Sequence, residues 1–453
     1  MKDPIELVIP MTGIGKRFVD AGYKELKPLI QTGMGSMIEG VLKNYQEITS
    51  PLFITSSNHP QRSELHSELL RLRPEARIFE IEPQKKGPSY AIWKARGQIR
   101  EKEPIVVNYC DFSGIWSEQE LISKIQEQDG LILTYTGFHP HMLRSTKFAY
   151  VRKNERNEVI DIREKQSFTE EPMKEEASSG TYCFRNAAIL FEAIEKQIER
   201  DISLDGEFYT SLSYIPLIEK GLKIKTMNIQ KFFQWGTPED LEDFRLWNEI
   251  SKISIEDFDG IRNRSSGLVL AAGLGARTSN YGKAKPLIPI FDGLLWNYAS
   301  KCLENSEVKR VIIRNEVREE IEKSNKLGAD VIALAKPTSG QAETAKIALD
   351  GLNRDDRPVH IIACDNLIIG NPINDIEARL ENFDIVVWTA KKYAFASSNP
   401  GQFSWVTYDE SANNQVRAIH FKEANPPQKA EILIGNFSFK SAEVAKQIFD
   451  NEV

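Results

Sequence analysis

The sequence predicts an α/β protein of two domains in tandem, each a mostly parallel mixed sheet with helices on both faces. Three observations predict it. The segment VIPMTGIGKRFVDAGYKELKPLI (Val8 to Ile30) returns as LVLAAGLGARTSNYGKAKPLIPI (Leu268 to Ile290). The spacing of roughly 255–260 residues is too long for a solenoid and suits a duplicated domain. Strand-like apolar runs alternate with helix-periodic runs in both halves, the pattern of parallel strands joined by crossover helices. The 453 residues are enough for two or three domains, each with its own core.

In the first half, IELVIP, PLFITS, ARIFEI, PIVVNYC and LILTYT read as strands, and MIEGVLKNYQEI, PQRSELHSELLRL, PSYAIWKARGQI and SEQELISKIQEQ as helices between them. KFAYVRKNERNEVIDIREK reads as a hairpin with a charged turn, and SSGTYCFRNAAILFEAIEKQI as strand into helix. TMNIQKFFQWGTPEDLEDFRLWNEI reads as strand, loop and final helix, with Thr237 as N-cap, Pro238 at the first helical position and acidic residues in the first turn. Polar, aperiodic SKISIEDFDGIRNRSS marks a linker at 251–266, between a first domain at 1–250 and a second at 267–453. The second half repeats the order with KRVIIRN, ADVIALA, HIIACDN and DIVVWTA as strands, then a charged hairpin and a strand into helix. The first half runs on for about 55–60 residues past the matching point, so the second copy is expected to be incomplete at its C-terminus.

A net charge of −7 lacks the basic footprint of a general nucleic-acid binder, so any anion site is local. The four cysteines show no C-x-x-C spacing and read as reduced thiols of a cytoplasmic protein. No apolar run reaches the ~20 residues of a membrane span, and His139 and His141 read as loop residues. Oligomeric state is not encoded legibly; a homo-oligomer is compatible with the chain.

Each copy of the repeat carries G-x-G-x-R and, about ten residues on, Lys-Pro-Leu-Ile. Gly13 and Gly15, and Gly273 and Gly275, allow a sharp turn that presents N–H groups to phosphate. Arg17 and Arg277 offer a planar fork for phosphate oxygens, and Lys27 and Lys285 a point charge fixed by the following proline. The dinucleotide fingerprint is not met, because Phe18 and Thr278 stand where its third glycine belongs. Asp111 and Asp365 follow apolar runs, which puts a carboxylate in the crevice at the carboxyl ends of parallel strands. One such carboxylate with substrate phosphates suits Mg²⁺; a lone Asp there also suits a helix N-cap.

These motifs resemble the sugar-phosphate nucleotidylyltransferases (nucleoside-diphosphate-sugar pyrophosphorylases) of capsule and surface-polysaccharide assembly, over nearly the whole chain. The resemblance implies a Rossmann-like, GT-A-like nucleotidyltransferase fold in both copies. It implies Mg²⁺-dependent transfer of a nucleotidyl group from an NTP, with a pyrimidine favoured, to a sugar or polyol phosphate. It places Arg17 on the β- and γ-phosphates, Lys27 near the α-phosphate, Gln84 and Gly87 at the base, and Mg²⁺ on Asp111. Glu164 would hold the acceptor's hydroxyls, Lys165 its phosphate, and Gly180 would line its pocket. In the second copy Arg277, Lys285, Gly273, Gly275, Gln341, Asp365 and Lys422 take the matching roles.

The chain departs from this family in named places. Gln234 stands where a second metal carboxylate is usual, leaving Asp205 or Glu207 as substitutes. Phe421 aligns with Glu164, so the second copy keeps nucleotide-side residues and loses an acceptor-side one. That pattern admits a catalytic first copy beside a non-catalytic nucleotide-binding or assembly module. A nucleotide-sugar glycosyltransferase is the rival from another class, but Asp111-Phe112-Ser113 and Asp365-Asn366-Leu367 lack the D-x-D usual there.

Overall fold

The computed structural model describes the chain except residues 1–4, 60, 138, 144, 253–262, 276–282, 291–292, 353–355, 369–371, 392, 394–395, 398 and 451–453. Arg277 and most of the linker lie outside the described residues. The chain divides into two units, Met1–Ile250 and Ser251–Val453.

The first unit holds strands β1 (Glu6–Pro10), β2 (Leu52–Ser56), β3 (Arg77–Ile81), β4 (Ile105–Asn108), β5 (Phe112–Ile115), β6 (Gly130–Tyr135), β7 (Tyr150–Lys153), β8 (Val159–Arg163), β9 (Glu176–Phe184), β10 (Ile224–Asn228) and β11 (Lys231–Gln234). Its helices are α1 (Lys16–Asp20), α2 (Met37–Leu42), α3 (Arg62–Leu72), α4 (Gly87–Lys94), α5 (Glu118–Glu127), α6 (Ala187–Glu199), α7 (Tyr214–Glu219) and α8 (Pro238–Lys252). The main sheet runs β10-β6-β9-β4-β1-β2-β3, with the β7–β8 hairpin attached to β9. β1 is parallel to β2 and β4, whereas β9 is antiparallel to both its neighbours β4 and β6.

All residues of β1, β4 and β6 are buried, as expected for strands covered on both faces. Leu7, Ile9, Val106 and Leu133 pack with Ile38 and Val41 of α2 and Leu121 and Ile125 of α5. Val8, Ile54, Val107 and Ile132 face the other way, onto Ala91 and Ile92 of α4 and Leu190 and Ile194 of α6. Period-2 alternation of one apolar strand thus serves both layers.

α2 ends at Leu42, shorter than the helical pattern MIEGVLKNYQEI predicts. Tyr45 there is buried and donates its hydroxyl to Asn108 Oδ1 at 2.8 Å, so tertiary packing takes over from helix propensity. α8 begins as its sequence dictates: the Asp240 N–H donates to Thr237 Oγ1 at 3.2 Å, Pro238 is the first residue, and Glu239 and Asp240 fill the first turn. The sequence reading missed β5 and its antiparallel pairing with β11, which sets Gln234 opposite Phe112.

The second unit holds β12 (Asn263–Ala271), β13 (Pro289–Ile290), β14 (Gly293–Leu294), β15 (Ser306–Arg314), β16 (Asp330–Leu334), β17 (Val359–Ala363), β18 (Ile385–Ala390), β19 (Ser404–Asp409), β20 (Gln415–His420) and β21 (Glu431–Phe439). Its helices are α9 (Leu295–Ala299), α10 (Arg318–Lys323), α11 (Gln341–Leu349), α12 (Ile373–Leu380) and α13 (Ala442–Asp450). β12 starts four residues inside the stretch read as linker. The sheet order β16-β15-β12-β17-β21-β19-β20, with β18 on β21, matches β3-β2-β1-β4-β9-β7-β8 with β6 on β9. Among the described residues no strand takes the place of β10, and β18 has one buried residue where β6 has six.

Candidate active site

The glycine loop leaves β1 at Pro10 and enters α1 at Lys16. Gly15 caps that helix with φ 65°, a left-handed conformation that glycine adopts without strain. A Cβ on Gly15 would lie 2.9 Å from Lys27 Cβ, so this glycine also lets the lysine approach the loop. Phe18 is buried with Ile30, Met37, Trp235 and Leu241 beneath the loop, which explains an aromatic where a dinucleotide fold has glycine. Lys27 Nζ lies 5.5 Å from the centre of the Phe18 ring. Tyr23 ties the loop to α8: its hydroxyl donates to Glu242 Oε1 at 2.5 Å and accepts from Arg245 Nη1 at 3.3 Å. Burial, then the Glu242 carboxylate, push the Tyr23 phenol up to about 12. Lys16 pairs with Asp20 one turn on, both exposed, a contact worth under ~1 kcal/mol.

Trp235 is fully buried and fills the space above Gly40 of α2, where a Cβ would sit 2.5 Å from its ring. Trp235→Ala is expected to cost the first unit about 3–5 kcal/mol by cavity formation. Chemical denaturation of the full chain checks this, and a loss under ~1 kcal/mol would contradict it.

Lys27 Nζ donates to Asp111 Oδ2 at 2.6 Å and to the Gly236 carbonyl at 3.3 Å. Burial alone pulls the Lys27 ammonium down, but the Asp111 carboxylate leads the effects that hold it above the ordinary lysine value. The Arg17 guanidinium opposes them. Arg17 is exposed, so a second cation borders the pair from the solvent side. A Cβ on Gly236 would lie 2.7 Å from Gln234 Nε2 and 3.6 Å from Asp111 Oδ2; Gln234 therefore stands beside Asp111, where the family pattern has a carboxylate. Burial, then Asp111, push the neighbouring Cys110 thiol up to about 12, and all four cysteines are free.

In the loop before α4, Gln84 braces its own segment: Nε2 donates to the Gly87 carbonyl at 3.1 Å and Oε1 accepts the Lys86 N–H at 2.5 Å. Gly87 opens α4 with φ 84°, and a Cβ on it would lie 2.8 Å from Phe208 N. Glu164 and Lys165 follow β8. Lys165 has φ 57° and Gly180 has φ 94°, at the point where β9 shifts register against β6. A Cβ on Gly180 would meet Phe112 at 2.8 Å. Glu164 Oε2 accepts from Ser211 Oγ at 2.5 Å. Burial raises the Glu164 carboxyl above its usual value, against the opposing Ser211 and Lys165. The Tyr109 phenol is raised first by burial, with the Glu164 and Asp111 carboxylates adding to the rise. The sequence reading did not name Tyr109, Ser211 or Tyr209; their spacing carries no motif.

In the second unit Lys285 pairs with Asp365 as Lys27 does with Asp111. Lys422 at φ 46° and Gly435 at φ 79° repeat the backbone of Lys165 and Gly180. Gly273 and Gly275 follow β12. Gln341 opens α11 as Gly87 opens α4, and Gln341 Nε2 lies 3.8 Å from a Cβ built on Gly435. Phe421 is 77% exposed. His139 and His141, read as loop residues, are buried against Tyr135.

The family model described as "Nucleotidyl transferase" matches residues 7–213 and 266–452. The chain belongs to the nucleotidyl transferase family. Its two matched regions correspond to the two units, and its α/β architecture is that of the family. A curated relative, the bifunctional protein GlmU of Bacillus licheniformis, is 23% identical over 203 residues, 45% of this chain; the match spans only 42% of that relative's length. Among solved structures, a nucleoside-diphosphate-sugar pyrophosphorylase from Vibrio cholerae is similar at TM-score 0.45 and 20% identity, over 53% of this chain and 99% of that one. A putative glucose-1-phosphate thymidylyltransferase from Bacillus anthracis gives TM-score 0.43 and 17% identity, over 53% and 94%. Among the described residues, no helix is long and apolar enough to cross a membrane, and no group of three or more His, Cys, Asp and Glu gathers as a metal site.

Proposed function

We propose that the first unit transfers a nucleotidyl group from an NTP, a pyrimidine nucleotide by first choice, to a sugar or polyol phosphate. Pyrophosphate leaves, and the activated sugar serves surface-polysaccharide synthesis in the cytoplasm. The observation that carries this reading is the Lys27–Asp111 pair at 2.6 Å, beside the Gly15 turn, which approaches Lys27. An acceptor phosphate oxygen forms a bond to the α-phosphorus while the α–β bridging bond breaks, and the electron pair leaves with pyrophosphate. The nucleophile is already ionised, so no general base is required. Arg17 steadies the β- and γ-phosphates, Lys27 faces the α-phosphate, and Lys165 holds the acceptor's phosphate. One carboxylate with phosphate oxygens and waters is a donor set that fits Mg²⁺, and Asp111, with Gln234 as neutral neighbour, would hold it. The bound ion would neutralise triphosphate charge and fix its geometry.

We further propose that the second unit is a second copy of the same domain, one that binds nucleotide without turnover. Its Lys285–Asp365 pair supports binding. Exposed Phe421 in place of Glu164 removes the carboxylate that would grip acceptor hydroxyls.

Calorimetric titration of each NTP with Mg²⁺ into the full chain tests both readings. Two sites are expected for the preferred base. Lys27→Met should weaken one site modestly and remove most pyrophosphate release, and Lys285→Met should weaken the other site alone. If no NTP bound, nucleotidyl transfer would be abandoned. A pH prediction follows from Glu164. Its raised carboxyl takes up a proton above the ordinary carboxylate range, so acceptor KM should climb as pH falls toward that range. In Glu164→Gln, acceptor KM is high throughout and that limb disappears. An acid limb surviving unchanged in the variant would assign it elsewhere.

A further inference from the structure

Residues 204–211 form a strap that touches both substrate sides of the first unit. The strap starts with a two-residue turn in which Asp205 (φ 53°) and Gly206 (φ 77°) are both left-handed, the Asp-Gly signature of a tight hairpin. Leu204 and Glu207 exchange N–H···O bonds of 3.0 Å across it. The next residue joins the base loop: the Phe208 N–H donates to the Lys86 carbonyl at 2.9 Å, and the Ser89 N–H donates to the Phe208 carbonyl at 3.0 Å. The close approach of Gly87 to Phe208 N depends on this register. Gln197, buried on α6, donates to the Tyr209 carbonyl at 2.8 Å and anchors the strap from behind.

The strap's side chains reach the acceptor side. Tyr209 donates its hydroxyl proton to Glu207 Oε2 at 2.6 Å and accepts from Lys165 Nζ at 2.6 Å, with that ammonium 4.6 Å from the ring centre. The Glu207 carboxylate has a single sense available, as acceptor, so it fixes the direction of the tyrosine proton and turns the oxygen lone pair toward the lysine. Two residues on, Ser211 holds Glu164. The fold thus engages Glu207, an alternative metal ligand on sequence grounds, with Tyr209.

We propose that Tyr209, oriented by Glu207, is a positioning residue that holds the Lys165 ammonium where it meets the acceptor's phosphate, on a strap whose other edge is the base loop. The proposal rests on the acceptor-side reading of Lys165 given above. Lys165 is exposed on a flexible stem; a free lysine would lose rotamer entropy on meeting a phosphate, and a pre-placed one loses less. The second unit supports the assignment by contrast: Lys422 has the same left-handed backbone, but its ammonium lies 5.4 Å from the ring of its own neighbour Phe421.

The test uses the full chain with lysines reductively ¹³C-methylated, the Lys165 resonance assigned by Lys165→Arg, and inorganic phosphate as probe. In the wild-type chain phosphate should shift the Lys165 signal. Tyr209→Phe keeps the ring and removes the hydroxyl. It should move the Lys165 signal in the free protein and weaken its phosphate response roughly 10-fold, the scale of one hydrogen bond to a charged group. Glu207→Gln, which keeps an oxygen acceptor but adds an N–H donor, should give a phosphate response between those of the wild type and Tyr209→Phe. NTP affinity should stay within about twofold in both. A Lys165 signal and phosphate response unchanged by Tyr209→Phe, in a chain still folded by circular dichroism, would overturn the proposal. If Tyr209→Phe moves the Lys165 signal while phosphate never does, the hydrogen bond is real and the phosphate role of Lys165 is wrong; this outcome also overturns the proposal and leaves the NTP-side reading intact.

Discussion

Lys27→Ala is expected to lower turnover on the order of 10²–10³-fold, the scale for losing one transition-state charge contact in a preorganised site. The geometry sharpens this expectation. Lys27 is held by Asp111 and the Gly236 carbonyl on one side and by the close approach of Gly15 on the other, so its charge is fixed in place before any ligand arrives. Pyrophosphate release under saturating NTP and acceptor measures the effect, and near-normal turnover would end the mechanism. NTP affinity should fall less than turnover, because Arg17 still meets the outer phosphates. The charge is secure at working pH. Its ammonium is held above the ordinary lysine value, so the stabilisation from this pairing is full below the unfolded-chain lysine pKa and is lost only as pH rises through the folded value.

Asp111→Asn should abolish the dependence on Mg²⁺ together with most activity. A carboxylate is the strongest hard-cation donor at the end of β4, and its neighbour Gln234 offers only a neutral oxygen. The same change should also lower the Lys27 pKa. Burial is the largest influence on that ammonium and acts downward; with the opposing carboxylate gone, burial prevails. Residual activity in Asp111→Asn should therefore lose its alkaline side at lower pH than the wild type. Titrating Mg²⁺ against activity at several pH values reads both effects. A metal titration superimposable on the wild type would remove Asp111 from the metal site.

Much of this site was legible before any fold was drawn. The glycine loop, Arg17 and Lys27 were visible because phosphate binding demands backbone freedom and fixed cations in a short segment, and because the second half repeats them. Asp111 was legible from its place after an apolar run. The order of the main strands and helices followed from hydrophobic period in both halves, whereas the short β5 carried no such signal. Less could be read of Gln84, whose polar atoms brace the loop in which it lies.

The sequence by itself determined the α/β class, the repeated order of the main elements and the glycine turn that follows the first strand, because each rests on local period or on residues close together in the chain. Tertiary structure alone decided the rest. Trp235 packs with Phe18 and against Gly40, β11 pairs with β5, Tyr23 is clasped by α8, and Tyr209 reaches Lys165, 44 positions away in the sequence. These contacts join residues distant in the chain, and no local propensity encodes them. They exist because burying apolar surface brings separate elements together, and each polar group caught in that burial must then find its partner.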